Sequence, residues 1–251
     1  MRILNRSIAL TLMTATLLAG CGGGGGGGSG TPTPSGPVTS TLSFPLQSAH
    51  KALVASGETR NFTASITLVS GTTVSGPCSA TGSLSQAPAA TVATFEGNTA
   101  ALSAVTTLTL TTLASPGCNA VTTSATATEY FDSNFVELGH NTVGGDYGVF
   151  LTAPSIPASG KVGDTGIIGT ETLYTNSTKA TVSGTDAISF VIEADTATSA
   201  IVNVITKNID VAGNVISTSQ ERSRITAVGA VTPVSEDTQF ANGARVTIQF
   251  L

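Results

Sequence analysis

From about residue 39 to the last residue, apolar and polar side chains alternate with a two-residue period, the pattern of strands half buried on one face. Phe62, Ala64, Ile66 and Leu68 share one face of a run over residues 62–69, and Gly71 marks the turn after it. Residues 91–95, a turn at Glu96-Gly97-Asn98 and the long run 99–113 predict a β-hairpin; Pro116-Gly117 closes it and residues 120–131 return as another Thr-rich strand. The second half predicts strands over 167–174, 187–194, 199–207, 215–226 and 245–251, separated by turn chemistry at 184–186, 210–214 and Asn242-Gly243. Residues 200–205 are apolar on both faces except at Asn203, which suits a central strand. The polar stretch 220–224 suits a strand at an edge or with one face in water. No segment reads as a helix.

The pattern therefore predicts an all-β chain: an antiparallel β-sandwich or meander of two β layers over residues 39–251. A subdivision near 139–161, where Gly144, Gly145, Pro154, Pro157 and Gly160 cluster, competes with a single compact unit, and the single unit is preferred because the first half is poor in large apolar side chains. Composition agrees. Thr and Ser exceed a quarter of the 251 residues while charged residues are 10%, and β-branched Thr fits a pleated, half-buried surface. A net charge of −5 lacks the basic stripe that a nucleic acid partner requires, so none is expected. A membrane-spanning barrel is also disfavoured: Val246, Ile248 and Phe250 alternate like a closing barrel strand, yet 9 Phe, 3 Tyr and no Trp are too few for two aromatic girdles.

The first 38 residues carry a different kind of information. Arg2 and Arg6 precede an apolar run over residues 7–20, long enough for an export signal and too short to span a bilayer. Leu17-Leu18-Ala19-Gly20-Cys21 resembles the bacterial lipobox, which implies cleavage after Gly20 and acylation of Cys21. Loss of Arg2 and Arg6 takes the formal net charge from −5 to −7. The partner so implied is outer-membrane lipid, because Gly22 stands where an aspartate would retain an enteric lipoprotein in the inner membrane. Residues 21–38, with a glycine run at 22–28 and prolines at 32, 34 and 37, read as a disordered Gly/Pro tether. The Cys21–Gly28 run, with Tyr130-Phe131-Asp132-Ser133-Asn134, the stretches 161–166 and 196–203, Arg224-Ile225-Thr226 and Thr232-Pro233-Val234-Ser235, resembles Gly-tethered proteobacterial outer-membrane lipoproteins of unknown function, a group that implies no catalytic residues.

Two cysteines remain after Cys21. Cys78 and Cys118 are an even pair in a chain read as exported, and the expectation is one structural disulfide. No nucleophile elbow, zinc-helix motif, phosphate loop or dinucleotide fingerprint occurs, and no catalytic residue is assigned. Residues 132–147 hold the densest polar chemistry, with His140 among them. Asp132, Asn134, Glu137 and Asp146 are a candidate oxygen set for Ca²⁺, the competing reading being turns in which these side chains bond the local backbone. Tyr130, Phe135 and Tyr147 are a candidate groove for a glycan or protein partner, against sheet-end packing. Asp164 with Glu171 or Glu193 is the carboxylate pair a glycosidase would need. The leading reading is a lipid-anchored, non-enzymatic structural, adhesive or accessory binding module at the outer membrane. A ligand-binding or substrate-delivery lipoprotein with a pocket between sheets is the alternative, and a hydrolase the weaker one.

Overall fold

The computed structural model describes residues 38–70 and 73–251; the signal, Cys21 and the tether lie outside the described residues. Among the described residues one helix, α1 (Leu46–Ser56), precedes β1 (Glu58–Ser70), β2 (Thr73–Gln86), β3 (Thr91–Phe95), β4 (Asn98–Thr112), β5 (Thr122–Phe131), β6 (Glu137–Thr142) and β7 (Tyr147–Val149). The chain continues as β8 (Thr165–Tyr174), β9 (Val182–Ala194), β10 (Ser199–Asp210), β11 (Val215–Thr226), β12 (Val231–Phe240) and β13 (Arg245–Phe250). Each strand from β4 to β13 pairs antiparallel with the next, β13 pairs with β1, and β1 with β2. The ring closes where residues 80–86 of β2 meet residues 106–112 of β4, giving a closed barrel of 12 strands. β3 pairs with the other half of β4 and lies outside the ring.

The expected two-layer sandwich is therefore corrected to a single sheet closed on itself. The physical reason is that alternation fixes which side chains share a face and says nothing about whether that face meets a second sheet or its own far side. The sheet itself is continuous here, since β6 and β7 link β5 to β8, while residues 150–164 form a connection that leaves it. β11 lies between β10 and β12, so the polar 220–224 stretch is a water-facing strand and not an edge.

The inward face carries Phe62, Ala64, Ile66, Ala80, Leu84, Leu108, Ala127, Val246 and Ile248 on one side of the lumen. Ile188, Phe190, Ile192, Val202, Val204 and Ile225 fill the other side. Gly82 faces the first of these groups; a Cβ there would stand 2.4 Å from the Phe62 ring, so the ring occupies that space. Much of the outward face is hydroxyl and charge. Thr107 meets Thr126, Thr109 meets Ser124 and Thr111 meets Thr122 at 3.4, 3.4 and 2.9 Å across the β4–β5 ladder. Thr59 and Ser85 do the same at 3.0 Å across β1–β2. Such cross-strand pairs account for the threonine excess. Arg222–Glu193 and Arg224–Asp195 join neighbouring outer positions at 3.4 and 2.7 Å, and Arg245 joins Asp237.

α1 covers one pole of the barrel. Leu46 and Ala49 pack with the β8–β11 side of the core, and Val54 with Ala89, Ala104 and Phe131 on the opposite side. The helix stops at Gly57, whose φ of 63° favours glycine and whose N–H donates to the Leu53 carbonyl. Its buried positions Leu46, Ala49, His50, Leu53 and Val54 follow the spacing of a helical stripe, and the absence of any predicted helix is corrected accordingly.

Cys78 of β2 and Cys118 of the β4–β5 connection form the expected disulfide, with both side chains buried. Replacing both by serine removes a cross-link between positions 40 apart, and the chain-entropy account gives a loss of about 4 kcal/mol. Urea unfolding of wild type against the double variant measures it; a loss below about 1 kcal/mol would show that other contacts already fix this loop.

Candidate binding cleft at the helix pole

The cleft at the α1 pole has a volume of about 380 Å³. The helix contributes Gln47, Ser48, His50 and Lys51, the β5–β6 turn contributes Asn134 to Glu137, and the β7–β8 connection contributes Pro154, Ser155 and Ile156. This volume is in the range of small-molecule sites, which combine apolar walls with a few polar groups. Here Phe135, Val136, Pro154 and Ile156 are the apolar wall, and the amides and hydroxyls of Gln47, Ser48, Asn134 and Ser155 are the polar contribution. His50 and Glu137 are buried, at 5% and 4% exposure, while Lys51 is exposed with Nζ 5.3 Å from the centre of the Phe135 ring.

Phe135 is the unusual member. Three other hairpins share both its hydrogen bonds and its left-handed fourth residue: the carbonyls of Asp210, Thr226 and Phe240 each accept from the residue three positions on, and their N–H groups donate to the carbonyl four positions on. In those turns the left-handed fourth position is Gly213, Gly229 or Gly243, at φ 87°, 86° and 90°. In the β5–β6 turn the Phe135 N–H donates to the Asp132 carbonyl, the Asp132 N–H donates to Val136, and Phe135 takes φ 63°. A bulky residue there costs about 1–3 kcal/mol relative to glycine, a strain found disproportionately at ligand clamps and switches. The ring held by this turn lines the cleft beside Lys51 and also packs against the Val54, Ala89, Ala104 and Phe131 cluster.

The structure rearranges the other candidates. Tyr130 and Tyr147 come together, but around Phe95 on the outside of the barrel, with centroids 4.2 and 5.5 Å from it, while Phe135 stands at the pole. The three-aromatic groove is corrected to a packing cluster and a separate cleft residue. The reason is parity: Tyr130 is the register partner of Gly139, and Tyr147 that of Asn141, both outward. The calcium set also separates. Asp132 Oδ1 accepts the backbone N–H groups of Asn134 and Val136 at 2.8 and 2.9 Å, which is the turn reading. Glu137 lines the cleft, and Asp146 sits in the β6–β7 turn at the far pole. Among the described residues, no three His, Cys, Asp or Glu side chains are grouped to hold a metal ion. Asp164 accepts the Lys161 N–H, Glu193 binds Arg222 and Asn203 on the outer face, and Glu171 binds His140 in the lumen. Glu171 and Glu193 thus lie on opposite sides of the wall.

The helical half of the cleft escaped sequence reading, although Leu46, Ala49, His50 and Leu53 announce an amphipathic turn that brings Gln47 and Lys51 to its polar side.

Phe135→Gly is expected to leave stability within about 1 kcal/mol of wild type, relief of the left-handed strain offsetting the lost ring packing. The reciprocal Gly213→Phe in the equivalent turn is expected to destabilise by about 1–3 kcal/mol. Urea midpoints measure both; a Phe135→Gly loss above about 3 kcal/mol would make the ring a core residue and not a strained cleft residue.

No family model, no curated protein and no solved structure matches this chain, so the cleft is interpreted from its own residues and geometry.

Proposed function

We propose that this chain is a lipid-tethered, non-enzymatic binding module that takes a small polar ligand with one apolar face in the cleft at the α1 pole. The observation that carries this reading is Phe135, held left-handed in a turn type that elsewhere in the barrel uses glycine, with its ring on the cleft wall. Strain kept at a partly exposed position is understandable where the side chain serves contact with something outside the fold. The alternative of a pocket between sheets gives way here to a pocket between helix and loops, because the described residues form one sheet.

The polar outer face supports a barrel standing in water beside the membrane. A lipid-facing wall needs apolar residues at the outward positions, and β1, β2, β4 and β5 present mainly Thr, Ser and Asn there, with Val105 and Tyr130 as exceptions. Attachment through acylated Cys21 supplies the membrane contact instead, and three acyl chains make it effectively permanent. Val38 bridges to Asp195 at the β9–β10 connection, on the same pole as the cleft.

Two experiments test the two halves of this reading. Cys21→Ser is expected to move the protein from the membrane to the soluble fraction; undiminished membrane retention would contradict the anchor. For the cleft, NMR titration of the folded protein with a panel of free neutral sugars and uronic acids at millimolar concentration is expected to shift Gln47, Phe135 and Ser155 together, and Phe135→Gly to abolish the shifts. Shifts confined to other surfaces, or none across the panel, would count against a cleft of this chemistry.

A further inference from the structure

β7 is the narrowest panel of the barrel wall. It has three residues, and each of its two ladders contains three register pairs, to β6 and to β8. Side chains reinforce it on both faces. In the lumen, His140 of β6 reaches over β7 to β8, where its Nδ1 lies 2.8 Å from Glu171 Oε1. The crossing point is Gly148: a Cβ there would stand 2.2 Å from Glu171 Oε1 and 2.4 Å from His140 Cε1, so only glycine leaves room for the pair. The other ring nitrogen, Nε2, is 3.6 Å from Asp146 in the turn that leads into β7.

Outside, the β3–β4 hairpin lies across the same strand. Phe95 stacks on Tyr130 and packs against Tyr147, and Glu96 accepts the Tyr147 hydroxyl at 2.7 Å and pairs with Lys179 of the β8–β9 turn. Glu96 and Lys179 are both left-handed at φ 49° and 57°, so among the described residues every non-glycine with positive φ is either at the cleft or in this strap. The Lys179 hydrogen bond holds the Glu96 carboxyl below its usual range; burial first, then Glu96, pushes the Tyr147 phenol up.

We propose that β7 is a pH-gated panel of the barrel wall, locked by a protonated His140 that bridges Glu171 and Asp146 and released from the β6–β7 turn when that proton leaves. The titratable groups around His140 on the neighbouring elements are acidic: its register partner Glu129 on β5, Glu171 on β8 and Asp146 in the turn, with Asp186 of β9 beyond Glu171 as that residue's register partner. One imidazolium serves both carboxylates, donating Nδ1–H to Glu171 and ion-pairing through Nε2–H with Asp146 at 3.6 Å. A neutral imidazole has one N–H, so one of the two carboxylates then faces a ring lone pair. Glu171 sits on the neighbouring strand at 2.8 Å, and Asp146, at 3.6 Å on a turn containing Gly144 and Gly145, is the contact that yields. Burial alone lowers the imidazole pKa, but the Glu171 and Asp146 carboxylates together outweigh it and hold it well above the usual value. The lock therefore contributes fully below the ordinary histidine range near 6.5 and is lost as pH rises through the elevated folded value.

Hydrogen–deuterium exchange of the full chain at pH 6 and pH 9, with each rate divided by its intrinsic base-catalysed rate, tests the proposal. Protection of residues 137–149 is expected to fall at least about tenfold more than that of β10 and β11, the change that one unit of pKa difference produces. Asp146→Asn, a turn substitution that keeps a hydrogen-bond acceptor, is expected to lower protection of the panel at pH 6 and shrink its pH dependence. His140→Gln is expected to make the panel equally weak at both pH values. Equal loss of protection across β7 and β10–β11 would overturn the gate, as would wild-type pH dependence in Asp146→Asn, which remains readable if His140→Gln does not fold.

Discussion

Closure of one sheet through the β2–β4 ladder is the constraint on which everything else in this molecule rests. Once residues 80–86 are paired with 106–112, the inward positions face a shared lumen and the outward ones face water except where the β3–β4 hairpin covers β6 and β7, and no second sheet is needed to bury an apolar face. Closure also leaves two poles. α1 covers one of them, and the place where the helix, the β5–β6 turn and the β7–β8 connection meet is the cleft. Pairing between distant positions delays the entropic return of closure until the ring is complete, and the Cys78–Cys118 disulfide ties β2 to the connection after β4 beside that last ladder.

The inward face is not purely apolar, and this gives the barrel its character. Gln86 donates to Glu129 at 2.6 Å, His140 binds Glu171 and Asn208 donates to Asp186 at 2.9 Å, all directed into the lumen. Buried charge is costly unless bonded, so these contacts fix register as much as they add stability. The lumen bond at Gly148 and the aromatic strap at Tyr147 act on neighbouring residues of the shortest strand from opposite faces, which concentrates side-chain reinforcement where the backbone ladder is thinnest.

Much of the strand content was legible because alternation is a local property. Phe62, Ala64 and Ile66 are inward as their spacing implies, the 91–113 hairpin turns at Glu96-Gly97, and Cys78 pairs with Cys118. What escaped is non-local or short. β2 is rich in Ser and Gly and has few large apolar residues to announce it, and β7 is too brief to show a period. The choice of barrel over sandwich depends on a ladder between strands whose sequences contain no mark of their partner. α1 carries its period only in Leu46, Ala49, Leu53 and Val54, a signal that the surrounding β pattern outweighs. The candidate site was legible residue by residue and not as a set: Phe135 belongs to the cleft, while Tyr130 and Tyr147 point through the other face of the wall for reasons of register.

The ring closure is most directly tested by NMR distance contacts between β2 and β4. Cross-strand Hα–Hα and amide contacts linking residues 80–86 to 106–112, with slow amide exchange on both sides of β2, are the expected result. Contacts from β2 to β1 alone, with the opposite row of β2 amides exchanging as a free edge, would leave the sheet open and contradict the account.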